Sequence, residues 1–77
     1  MGTTELGSRA TLVRQYQLGQ VIRLAGDGTF RRAASMGELQ AAPETPIFEG
    51  GSTIGPLRSP TVVMVQAGAA GCVLTVA

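Results

Sequence analysis

A chain this short has to hold its fold by burial, because it carries no staple. It has 77 residues, one cysteine and no histidine. Cys72 therefore has no partner within the chain for a disulfide, and a structural zinc site has no ligand set. Domains of this size bury only about 60% of the surface their unfolded chain exposes. Small scaffolds commonly add disulfides, a metal or oligomerisation. With the first two excluded, oligomerisation is the support that remains.

The same poverty extends to the surface. There is no Lys, Asn or Trp, and charged residues make up 14%, against roughly 25% in an ordinary soluble domain. Aromatics are limited to Tyr16, Phe30 and Phe48. A net charge of +1 creates no steering field for nucleic acid or an anionic membrane. The chain reads as a part whose surface is completed by other chains. Residues 1–8 are polar and Gly-containing, without the basic start and apolar stretch of a signal peptide. The longest apolar run, residues 62–65, falls far short of the roughly 20 residues of a membrane span. An unpaired cysteine in a non-secreted chain fits a reducing compartment.

Period-two patterning dominates. In residues 10–18, Ala10, Leu12, Tyr16 and Leu18 share one face and Thr11, Gln15 and Gln17 the other. Arg14 interrupts the apolar face and Val13 the polar one. Residues 20–25 and 29–34 predict a hairpin about Gly26-Asp27-Gly28, since Gly supplies the positive φ of a tight turn. Ile22, Leu24 and Phe30 are its expected buried positions. Ser35-Met36-Gly37-Glu38 matches a capping box and predicts a helical turn over 36–42, stopped by Pro43.

Residues 43–60 hold all four prolines and predict a long irregular segment. Ile47, Phe48, Ile54 and Leu57 anchor it, and Ile47-Phe48 is a candidate strand. Residues 61–67 and 72–77 predict a last hairpin across Gly68-Ala69-Ala70-Gly71. The unbroken run Val62, Val63, Met64, Val65 implies a strand covered on both faces, with another subunit as one cover. Together these predict an all-β domain over 10–77, a small antiparallel sandwich or barrel-like fold with one short helical turn and a long Pro/Gly-rich loop. An N-terminal arm over 1–9 precedes it.

Catalytic chemistry finds little to work with. Cys72 has no activating base, and Glu5, Asp27, Glu38, Glu44 and Glu49 fall in no acid/base spacing. The Gly-rich stretches at 26–28 and 50–53 lack the Lys and the following helix of a phosphate loop. The expectation is no enzyme: no catalytic, cofactor or metal residue, no small-molecule substrate and no membrane partner. Arg31-Arg32 is the only basic pair. With Arg23 and Phe30 it forms a candidate nucleic-acid patch. Poor aromatic interleaving makes interface arginines the stronger reading. The arm and the sheet edges are suited to strand addition, and no Lys protects them.

The run Gly19-Gln20-Val21-Ile22-Arg23-Leu24-Ala25-Gly26-Asp27-Gly28-Thr29-Phe30-Arg31-Arg32-Ala33, with the later Pro/Gly-rich stretch and closing apolar strands, resembles small head-decoration (cement) proteins of tailed bacteriophages. The resemblance implies a small β-rich, β-tulip-like fold, often trimeric. It implies a place on the capsid exterior at local threefold sites, clamping neighbouring major capsid protein subunits after assembly in the host cytoplasm. In such proteins an N-terminal arm adds to a capsid strand, which maps here to Thr3, Thr4, Glu5 and Leu6. No catalytic residues come with the family. The leading expectation is a non-enzymatic virion structural protein, a homotrimer with its subunit interface at Ile47, Phe48, Ile54, Leu57, Val63 and Val65. The alternative is a small β-barrel that binds nucleic acid through Arg23, Arg31 and Arg32. A third reading is a cellular adaptor that adds its edge strand to a peptide.

Overall fold

Two long strands run through the molecule and carry the rest of it. The computed structural model describes residues 2–77, so Met1, the first residue of the expected arm, lies outside the described residues. The elements are β1 (Gly2–Leu6), β2 (Thr11–Tyr16), β3 (Ile22–Ala33), α1 (Met36–Leu39), β4 (Thr45–Pro46), β5 (Ser52–Ile54) and β6 (Thr61–Val76). The fold is all-β and every strand pair is antiparallel. β6 pairs with β3 along nearly its whole length. Its other edge takes β2 over the first half and β1 over the second. The far edge of β3 takes β5 opposite Ile22 to Leu24 and β4 opposite Thr29 and Phe30. The sheet therefore has two four-stranded halves, β1–β6–β3–β5 and β2–β6–β3–β4, which share the two long strands.

The halves fold onto each other at a crease. A straight strand of 16 residues, the length of β6, would span about 50 Å. The longest dimension of the molecule is 31 Å. The bend falls where the β3–β6 register shifts, between the pairs Gly26↔Cys72 and Gly28↔Ala67. There residues 68–71 of β6 stand against Asp27 alone, which makes a wide bulge of the kind that turns a sheet corner. Gly26 has φ +111, and a Cβ on it would lie 2.8 Å from the Cα of Cys72. A Cβ on Gly28 would overlap the carbonyl oxygen of Gln66. At the same level a turn over residues 7–10 separates β1 from β2, with Ala10 N donating to Gly7 O at 3.1 Å and Arg9 N to Gly68 O at 3.0 Å.

This corrects both expected hairpins. Gly26-Asp27-Gly28 and Gly68 to Gly71 do not reverse the chain; each lies inside one bent strand. A glycine with positive φ and no Cβ serves a bulge as well as a hairpin turn. What decides between them is the pairing of β3 with β6, some forty residues away in sequence, which no local pattern carries.

The inner faces of the two halves form one core. Ile22, Leu24, Ile54 and Leu74 come from the first half, and Tyr16, Val63 and Val65 from the second. Leu6, Ile47, Leu57, Ala67 and Cys72 complete it. Ala10, Leu12 and Tyr16 face inward as the alternation predicts, but β2 ends at Tyr16 and Leu18 lies beyond it, 65% exposed. The helix is shorter than the expected 36–42. Ser35 Oγ donates to Glu38 Oε2 at 3.3 Å and accepts no cap bond from a backbone N–H. α1 packs against β3 and β6 on the outer face, where Leu39 and Val62 are both buried. The second cover over the Val62 to Val65 run is thus the chain's own helix. The Pro-rich segment is partly regular, since β4 and β5 both pair with β3. Ile47, expected in a strand with Phe48, follows β4 and donates its N–H to Gly28 O at 2.9 Å.

Candidate functional site

Five of the six residues expected at a subunit interface are used inside the chain. Ile47, Ile54, Leu57, Val63 and Val65 are buried in its own core, because the crease gives the inner face of each half a partner. Phe48 is different: it is 65% exposed. Its position is built rather than loose. Gly51 N donates to Phe48 O at 2.8 Å, closing a four-residue turn. Phe48 N donates to Oγ of the buried Ser52 at 3.0 Å. Glu49 follows at the tip, exposed and without an ion pair among the described residues.

The expected arm residues Thr3, Thr4, Glu5 and Leu6 form β1, a strand of the chain's own sheet, with Leu6 in the core. Its other edge is unpaired by any described strand. β2 is the instructive contrast. Arg14 stands opposite Val63, which places it on the inner face of an edge strand. An inward charge on an edge opposes the docking of a further strand. Thr4 and Leu6, which stand opposite the inward Leu74 and Cys72, give β1 no such guard.

The arginines Arg23, Arg31 and Arg32 do not share one surface. Adjacent residues of a strand face opposite ways. Arg31 faces outward, opposite Met64, where its Nη2 meets Glu44 Oε2 at 3.0 Å and its Nη1 donates to Gln40 O at 3.0 Å. These bonds tie the segment after α1 to the sheet. Arg32 faces inward, opposite Val63. Arg23 lies in the other half, opposite Thr75 and Thr53.

A different set comes together instead. Arg14 and Arg32 flank Val63 on the inner face, their backbones about 10 Å apart at two strand spacings. Arg32 and Arg58 line an open groove of about 970 Å³, together with Leu18, Pro56, Leu57 and Thr61. Among the described residues, no carboxylate lines it. Among the described residues, Arg14, Arg32 and Arg58 make no ion pair. The sequence carried one signal for this set, the break that Arg14 makes in an apolar face. Arg58, inside the Pro-rich stretch, carried none.

The Cys72 thiol and the Tyr16 side chain are both buried. Cys72 is buried; burial first and the Asp27 carboxylate second push its thiol up, away from the thiolate a nucleophile needs. Tyr16 is buried, and its hydroxyl has no hydrogen-bond partner among the described residues. Burial raises its phenol, against a smaller lowering by Arg14. The arrangement is suited to holding an anionic or acidic group beside an apolar surface, and to pairing a strand edge. Compared with protein families, characterised proteins and solved structures, the chain finds no match.

Proposed function

We propose that this chain is a non-enzymatic structural subunit that binds the outside of a tailed-phage capsid as a homotrimer and bridges neighbouring capsid subunits. The observation that carries the reading is the free edge of β1. It lies beside an edge strand guarded by Arg14, and itself has neither an inward charge nor a Lys. An open edge with unguarded backbone groups is a template for strand addition. Three large apolar side chains, Leu18, Met36 and Phe48, are more than 60% exposed, and such surface supports burial against neighbours. At about 25 cal/mol per Å² of apolar surface, modest contacts repeated over a shell sum to a large stabilisation.

The test is to mix the purified protein with capsid shells that lack it. Binding, together with a gain in the shells' resistance to heat, is the expected outcome. Thr3→Lys, which sets a charge on the β1 edge, weakens binding without unfolding the protein. Shells that neither bind the protein nor gain resistance would sink the reading.

A further inference from the structure

We propose that the turn bearing Phe48 and Glu49 of one copy seats in the arginine-lined groove of a second copy, so that chains join head to tail. The inference rests on the reading of this chain as an assembly subunit, and not on the identity of the shell.

The two surfaces complement each other in both polarity and charge. The groove offers Leu18 and Pro56 as apolar wall, and Arg32 and Arg58 as cations without a carboxylate partner among the described residues. The turn offers an exposed aromatic ring with a free carboxylate beside it. An aromatic anchor flanked by a charge-assisted Arg–carboxylate contact is a common composition for the centre of an interface. The turn is also preorganised. Two backbone donors, Gly51 N and Phe48 N, are satisfied within it, so little conformational freedom remains to be lost on docking.

A second copy, rather than the same one, has to supply the turn. The turn precedes β5 and the groove follows it, at Gly55 to Arg58. β5 separates them by about 10 Å of extended chain, and the turn cannot double back across its own strand. One tip seated in one groove leaves a free groove on the first chain and a free tip on the second, which makes the contact heterologous. Such a contact closes into a ring where its rotation allows, and otherwise continues as an open chain. Nucleic acid is the weaker occupant, because among the described residues no aromatic side chain lines the groove to stack a base.

The decisive experiment is sedimentation of the full chain over a concentration series, with two variants. The tip variant is Phe48→Ser with Glu49→Gln, and the groove variant is Arg32→Glu with Arg58→Glu. Wild type gains mass with concentration. Each variant alone stays at the mass of one chain, its association weakened at least tenfold, with a circular dichroism spectrum like that of wild type. Mixed in equal amounts, the variants give a species of two chains and no larger, since each supplies the surface the other lacks. If either variant unfolds, Phe48→Ala or Arg32→Met with Arg58→Met replaces it in the same design. A wild type that stays single at every concentration overturns the proposal. So do variants that associate as wild type does, and a mixture that stays single. A mixed-sequence single-stranded oligonucleotide that binds wild type but not the groove variant, and disperses the wild-type assembly, gives the groove to nucleic acid instead. Shell binding by a protein that remains single-chain removes this contact and leaves the capsid reading standing; self-association without shell binding does the reverse.

Discussion

The two halves of the sheet share β3 and β6, yet their inner faces are built differently. In the half made with β1 and β5, the inner positions Ile22, Leu24, Ile54 and Leu74 are almost fully buried. In the half made with β2 and β4, Tyr16, Val63 and Val65 are buried as well, but Arg14 and Arg32 flank Val63 and the face opens toward the groove. The first half spends its large inner side chains on the chain's own core. The second keeps two cations at its rim that the core does not use. The same pair of strands thus holds the fold at one end and presents charge at the other. The crease at Gly26 and Gly28 separates the two roles.

The comparison breaks most directly by truncating each half in turn. Leu74→Ala removes a side chain at 1% exposure from the closed half. It should cost about 2–5 kcal/mol, the range for buried Leu-to-Ala changes. Arg32→Met at the open rim should change stability by less than about 0.5 kcal/mol, as substitutions away from core features do, while weakening self-association. Urea unfolding of both variants checks this. Comparable losses from both would mean that the rim arginines belong to the fold.

The crease itself comes next in size. Gly28→Ala places a Cβ against the Gln66 carbonyl in the backbone of β6. Overpacking of this kind costs about 1–3 kcal/mol. Gly50→Ala is the matched control, because nothing lies within 4 Å of its added Cβ and its backbone is ordinary. A thermal midpoint lowered for the first and unchanged for the second is the expected pair. Equal midpoints would place the bend elsewhere than at this close approach.

That crease also marks what the sequence could and could not tell. The inward faces were legible: the alternation in Ala10, Leu12 and Tyr16, and in Ile22 and Leu24, depends only on period two, which is local. The breaks at 26–28 and 68–71 were legible as breaks. Their meaning was not, because a bulge and a hairpin ask the same backbone freedom of glycine. Only the pairing of two segments far apart in sequence separates them. The site followed the same rule. Phe48 was legible as apolar in a loop, but the burial of Ile54 and Leu57 beside it depends on how the halves fold together. Arg32 and Arg58 meet through that fold alone.

Alkaline pH distinguishes the halves more gently. Burial raises Cys72 in the closed half from its ordinary 9.0, and Tyr16 in the open half from 10.0. A group whose folded pKa lies above its unfolded value contributes stability that is present below the unfolded pKa. That stability is lost as pH rises through the folded pKa. Both groups therefore act in the same direction, and stability should fall as pH climbs past 9, first through Cys72 and then through Tyr16. Denaturation midpoints measured from pH 7 to 11 check this. Cys72→Ala should flatten the earlier part of the decline, and an unchanged slope in that variant would count against the thiol.

The smallest effect tests how well the open half is satisfied. The Tyr16 hydroxyl is buried and bonds to no other group among the described residues. Leaving such a group unpaired costs about 1–3 kcal/mol, whereas removing it from both states can be neutral or stabilising. Tyr16→Phe keeps the ring in the core and deletes only the oxygen. Stability at neutral pH should therefore hold or rise by up to about 1 kcal/mol, and the later part of the alkaline decline should disappear. A loss of more than about 1 kcal/mol would mean that the hydroxyl is bonded after all, to a buried water of the kind that satisfies such groups. The inner face of the open half would then be wet as well as charged, and its contrast with the closed half would sharpen rather than fail.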